Sequence, residues 1–155
     1  MSRWRDLRSE RDVVVVDAES TRDWPSAAPW ESAKFGLLLL AEHVVDVEAL
    51  AAQALDQGLV FASVWGPGCE MVEDSFDEAI VAERRGGETS ETTILTSSHA
   101  DESVEETLEF FLDAARPASA HVAGCGTWVV FPVGARCRTR VERALEKRGA
   151  HRHDP

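Results

Sequence analysis

No stretch of this chain approaches the ~20 consecutive apolar residues that a membrane span requires. The longest apolar run, residues 35–41, reads only FGLLLLA. The opening MSRWRDLRSERD is charged and lacks the apolar centre of a secretory signal, so a cytoplasmic protein is expected. Cysteine is scarce and odd in number, at three, which argues against a disulfide framework and agrees with a reducing compartment. Positive charge is also short: 16 Lys and Arg stand against 28 Asp and Glu, a formal net charge of −12. Phosphate binding needs a positive field, so neither nucleic acid nor an anionic membrane is an expected partner. The motifs G-x-G-x-x-G and G-x-x-x-x-G-K-[ST] are missing, and no C-x-x-C or H-x-x-x-H pair occurs. No cofactor and no metal centre are therefore expected.

What is present suits one globular domain. A chain of 155 residues can bury one core, and 44% hydrophobic with 28% charged residues is a globular composition. Four consecutive valines at 13–16 predict a buried strand, followed by a Trp- and Pro-containing loop over 20–32 that pins two indoles onto the body. Residues 35–41 predict a second strand. Asp46 can cap a helix with Val47, Leu50, Ala51, Ala54 and Leu55 on one face, stopped by Gly58. A third strand is predicted over 59–65, then a helix over 69–85 ended by Gly86 and Gly87. A fourth strand is predicted over 92–96. Ser103 and Glu106 form a capping box for a helix reaching Ala115. A fifth strand at 127–133 and a helix at 138–148 complete the series, and the tail from residue 151 is expected to fray. The fold expected is α/β, a single three-layer α/β/α domain with a mostly parallel sheet of about five strands. Residues 1–34 supply the N-terminal strand and loop, and 35–150 the repeated β-α core.

Parallel strands would bring their carboxyl ends to one edge, where open α/β sheets bind ligands. That edge would hold Glu42 and His43, then residues 65–70, then 97–102, then 132–137. One reading is a thiol nucleophile: Cys69 at a helix start, His99 as base and Asp101 as its orienter, a hydrolase or transferase arrangement. Glu70 and Glu73 in the same first turn oppose it by raising the thiol pKa. A metal reading would gather Cys69, His99, His43 and Cys125 or Cys137, without the usual ligand spacing. A redox reading arises because Trp65, Gly66, Pro67, Gly68, Cys69, Glu70 and Met71 resemble the active-site turn of the thioredoxins. Gly66 stands where that family has its attacking cysteine, and dithiol exchange needs two sulfurs.

A second resemblance is broader. WGPGCE at 65–70, Asp77-Glu78, and HADES at 99–103 leading into Glu105, Glu106, Leu108, Phe110 and Phe111 resemble a group of small bacterial proteins classed as a domain of unknown function. The similarity spans residues 35–133 and implies a bacterial source and an α/β fold, with no activity to transfer.

Charge distribution points to binding. Residues 69–109 hold thirteen acidic side chains against Arg84 and Arg85, whereas 136–152 holds seven basic ones. The expected function is an acidic protein-binding or regulatory domain. Glu42, His43, Trp65, Glu70, Glu73, Asp74 and Asp77 are its candidate contacts, a basic protein its partner, and a homodimer a further arrangement.

Overall fold

The structure is a computed structural model that describes residues 1–83, 89 and 91–153. Its elements are β1 (Ser2–Asp6), β2 (Arg11–Val15), β3 (Lys34–Leu40), α1 (Glu48–Asp56), β4 (Leu59–Trp65), α2 (Cys69–Glu83), β5 (Leu95–His99), α3 (Val104–Glu109), β6 (Cys125–Pro132), α4 (Ala135–Arg148) and β7 (His151–His153). All seven strands form one sheet in the order β5-β4-β3-β6-β2-β1-β7. The α/β class is as expected, but the sheet of about five mostly parallel strands needs correction: there are seven, in mixed orientation. The five from β5 to β2 run parallel, whereas β1 is antiparallel to both β2 and β7.

The two extra strands lie at the termini. Ser2–Asp6 is too charged to read as a buried strand, yet its residues alternate between covered and open faces beside β2. The tail expected to fray instead pairs His151, Arg152 and His153 with Arg5, Trp4 and Arg3. Its side chains are exposed, and it is placed by backbone pairing with β1 together with Arg152, which lies 5.8 Å over the Trp4 ring.

Uniformly apolar strands arise because both faces are covered. Leu37 and Leu39 enter a core with α1, α2 and the indoles of Trp24 and Trp30. Leu38 and Leu40 enter a second core with Val104 and Leu108 from α3, Phe111 from the turn that follows it, and Val141 from α4. Trp24 is fixed by its Nε1 donating to Gln57 Oε1 at 2.8 Å, and Trp30 lies 4.6 Å from the Phe35 ring. Helix α1 begins one residue after its expected start, yet Asp46 still serves it by accepting from the Glu48 amide at 3.0 Å. The expected fourth strand moves three residues on, to Leu95–His99, which makes His99 its last residue. The expected end of α2 at residue 85 and its glycine stop lie outside the described residues.

Beyond α3 the chain makes one wide π turn over Phe110–Ala114, closed by the Ala115 amide on the Phe110 carbonyl at 2.8 Å. Arg11 caps it, donating to the carbonyls of Phe111 at 2.6 Å and Ala115 at 2.7 Å while lying 3.5 Å above the Trp128 ring. Burial and the neighbouring Arg116 push the Arg11 pKa down to about 10.

Candidate functional site

Five parallel strands end at the expected edge, but the side chains there divide between two faces. Cys69 is 1% exposed and packed in the core with Val72 and Phe76. His99 belongs to the other face, where its ring lies 4.8 Å from Phe110, a neighbour of the second core. The sheet separates them, so the structure does not bring the thiol to the imidazole.

His99 sits in a different network. Its Nδ1 is 2.8 Å from Glu102 Oε2 and its Nε2 3.1 Å from Ser97 Oγ, which lies 2.7 Å from Ser63 Oγ on β4. A carboxylate only accepts, so Nδ1 carries a proton toward Glu102. In the neutral ring Nε2 then accepts from Ser97, and Ser97 from Ser63, a chain in which each bond polarises the next. Asp101 is exposed, and the position adjacent to it is the one that orients His99. Trp65 joins this region through Nε1, which donates to the Glu102 carbonyl at 2.7 Å, and Arg140 lies 5.4 Å over its ring.

The order Ser97, His99, Glu102 has the polarity of a general-base relay. Its surroundings are those of a fastener, since His99 is only 6% exposed and covered by Phe110. It ties the edge strand β5 to β4 and to the start of α3. His99→Ala should therefore cost about 1–3 kcal/mol, the range for orphaned buried partners. Amide exchange should accelerate over residues 95–99; unchanged exchange there would show that the network does not hold the strand.

The remaining candidate residues fall in two places. Glu42 and His43 follow β3, and Glu42 Oε1 lies 3.4 Å from Arg136 Nε at the start of α4. This is the point where strand order reverses, because β3 leads on to β4 on one side while β6 lies on its other. Here Arg138 pairs with Asp17 and, at 3.3 Å, with Glu142. The sequence points to Glu42, His43 and residues 132–137 at this edge but not to the reversal between them, for a switch point exists only once strand order is known. Cys137 is buried beside it, its thiol pushed up by burial and then by Glu42. Burial likewise pushes Cys125 up to about 11, which leaves it a poor nucleophile at neutral pH. Among the described residues, no group of three or more His, Cys, Asp or Glu gathers as a metal site would require.

The second place is the outer side of α2. Glu70, Asp74, Asp77 and Glu78 are exposed and Glu73 half-buried, with no Lys or Arg paired to any of them among the described residues. Glu73 Oε1 and Asp77 Oδ1 lie 3.0 and 2.8 Å from Thr96 Oγ1, whose single proton serves one of them at a time. The basic α4 is different, because Arg136, Arg138, Arg140 and Arg148 all have carboxylate partners within the fold. Among the described residues, no helix is long and apolar enough to cross a membrane.

Neither the curated proteins nor the solved structures contain a match to this chain. A family model does match it, over residues 13–147, so the parallel strands and all four helices lie within or overlap the matched region, while β1 and β7 lie outside it. The chain belongs to the family described as a domain of unknown function, DUF7684.

Proposed function

We propose that this chain is a cytoplasmic bacterial protein-binding domain whose outer α2 surface docks a basic partner. The observation that carries this reading is a row of like charges to which no Lys or Arg is paired among the described residues. Glu70 and Asp74, Glu73 and Asp77, and Asp74 and Glu78 are each four residues apart, a spacing at which like charges repel by a few tenths of a kcal/mol per pair. Over its described residues, Cys69–Glu83, helix α2 carries no Lys or Arg. A cationic partner would turn this repulsion into attraction and would be steered to the surface by it. Glu42 and His43 follow β3 and Trp65 ends β4; Glu42 lies 3.4 Å from Arg136 and Trp65 lies under Arg140, both on α4, so these two side chains face away from the α2 surface.

The test is replacement of Glu73, Asp74 and Asp77 by lysine. Proteins retained by the wild-type chain from an extract of its source are identified, purified and titrated against both forms. The expected result is a basic partner whose affinity falls at least tenfold in the variant and weakens with added salt. Equal affinity for the two forms would overturn the reading, as would retention of no basic protein.

A further inference from the structure

We infer that the partner engages as an added strand: an extended segment alternating basic and apolar residues pairs with the outer edge of β5, on which no strand lies among the described residues. This rests on the acidic-surface reading and specifies how that surface is used.

The two edges of the sheet are built differently. Strand β7 is three residues long and reads His-Arg-His, so it is both short and charged, two devices that discourage edge pairing. Strand β5 is five residues long and reads Leu-Thr-Ser-Ser-His, with no lysine, proline or glycine to blunt it. Its inner edge is paired with β4 from Leu95 to His99, while its outer edge has no strand among the described residues. Every second residue there directs an N–H and a C=O away from the sheet, which is the template used in strand addition. The Ser63, Ser97, His99 and Glu102 network holds this strand in shape without a second neighbour.

Side chains on either side of that edge indicate what an added strand would carry. On one face stand Thr96 and, touching it, the carboxylates of Glu73 and Asp77. A shallow depression of about 530 Å³ lined by Asp77, Glu78, Val81 and Ala82 lies on the same helix, and Val81 is 71% exposed. On the opposite face Leu95 is 39% exposed beside the strand. Alternate residues of an incoming strand would meet carboxylates on one side and the Leu95 side chain on the other. Five residues of β5 match a segment about 17 Å long.

A second copy of this chain is a poor occupant. Antiparallel pairing of two β5 strands has its two-fold axis perpendicular to the sheet, so both α2 helices would lie on one face of the joined sheet. Their carboxylate rows would then be neighbours, a like-charge arrangement that suppresses association. The same charge that repels a copy attracts a basic segment.

The experiment uses the full chain and three labelled peptides with the same numbers of arginine and valine: the two residues alternating, the same residues sorted into two blocks, and the alternating peptide N-methylated at every second amide. The expected result is that the alternating peptide binds, slows amide exchange over residues 95–99, and loses at least tenfold in affinity on N-methylation or sorting. Equal binding of the N-methylated peptide would overturn strand addition while leaving the acidic surface as the docking site. No binding by any peptide would also overturn it, with the lysine replacements above deciding the broader reading separately. Sedimentation showing a dimer that Leu95→Lys dissociates would overturn it in favour of a second copy.

Discussion

Arg148→Met should lower stability by about 3–5 kcal/mol, the cost of leaving a buried charge without its partner. The melting temperature should fall by roughly 6–20 °C at neutral pH, given the ~2–4 °C per kcal/mol typical of this chain length. Arg148 is 8% exposed at the end of α4, with its guanidinium 3.0 Å from Asp6 Oδ2 and 2.7 Å from Asp113 Oδ1. Asp6 is fully buried at the end of β1 and also accepts from the amide and hydroxyl of Ser9. Asp6, Asp113 and Arg148 together join the first strand, the π turn and the last helix. Removing the cation leaves the Asp6 carboxylate out of reach of water.

The pH dependence of this cost has a definite sign. Burial alone would raise the Asp6 pKa, but Arg148 and Ser9 together hold it below the usual carboxylate value. Hydrogen bonds from Arg148 hold Asp113 low as well. A group whose pKa is lowered by folding contributes stability that is present above its unfolded pKa and lost as pH falls through the folded one. The wild type should therefore lose stability progressively once pH drops below about 4. In Arg148→Met burial dominates Asp6, and protonation relieves the buried charge. The gap between the two proteins should narrow with acidification, measured by denaturant titration from pH 7 to pH 4; a gap independent of pH would show that the ion pair is not its source. Pairing Arg148→Met with Asp6→Asn should recover part of the loss at neutral pH.

Gly66→Ala should cost roughly 3 kcal/mol or more, combining a strained backbone with an overlap that no rotamer relieves. Gly66 has φ +122°, and a Cβ placed there would lie 1.8 Å from the Ala41 carbonyl oxygen. The Ala41 amide donates to the Trp65 carbonyl at 3.2 Å, so the β3 exit and the β4 exit are already bonded where the methyl would intrude. Gly66 in turn accepts from the Cys69 amide at 3.1 Å and starts α2. The variant should melt at least about 6 °C lower and shift the environment of Trp65, read by its fluorescence. A wild-type melting curve would mean that the turn relaxes around the methyl. The thioredoxin-like turn thus has a purely geometric explanation: its glycines carry the chain from strand to helix, with Gly68 also at positive φ, +69°.

Much of the fold was legible because local chemistry repeats along the chain. The valines of β2, the leucines of β3 and residues 59–65 are apolar enough to specify buried strands, and Ser103 with Glu106 forms the expected capping box on α3. The WGPG turn and the acidic outer row of α2 were equally visible. Illegible were β1 and β7, whose Arg, Asp and His side chains do not mark a strand, and whose place depends on backbone pairing between distant ends. The partner of His99 was placed one residue early, at Asp101. Whether Asp101 or Glu102 turns toward the ring depends on how the chain bends into α3, and spacing alone does not carry that information.

The sequence by itself determined the class of the domain, the apolar strands, the helix signals and the excess of negative charge, because each depends on residues adjacent or a few places apart. Tertiary structure alone decided which chemistry-bearing groups meet. Strand order located the switch point between β3 and β6, and put β5 at one end of the sheet. Alternation through the sheet put Cys69 in one core and His99 beside the other, although the sequence places both at strand ends. Side-chain direction reverses with every residue of a strand, so a group's face depends on register and pairing rather than on its place in a motif.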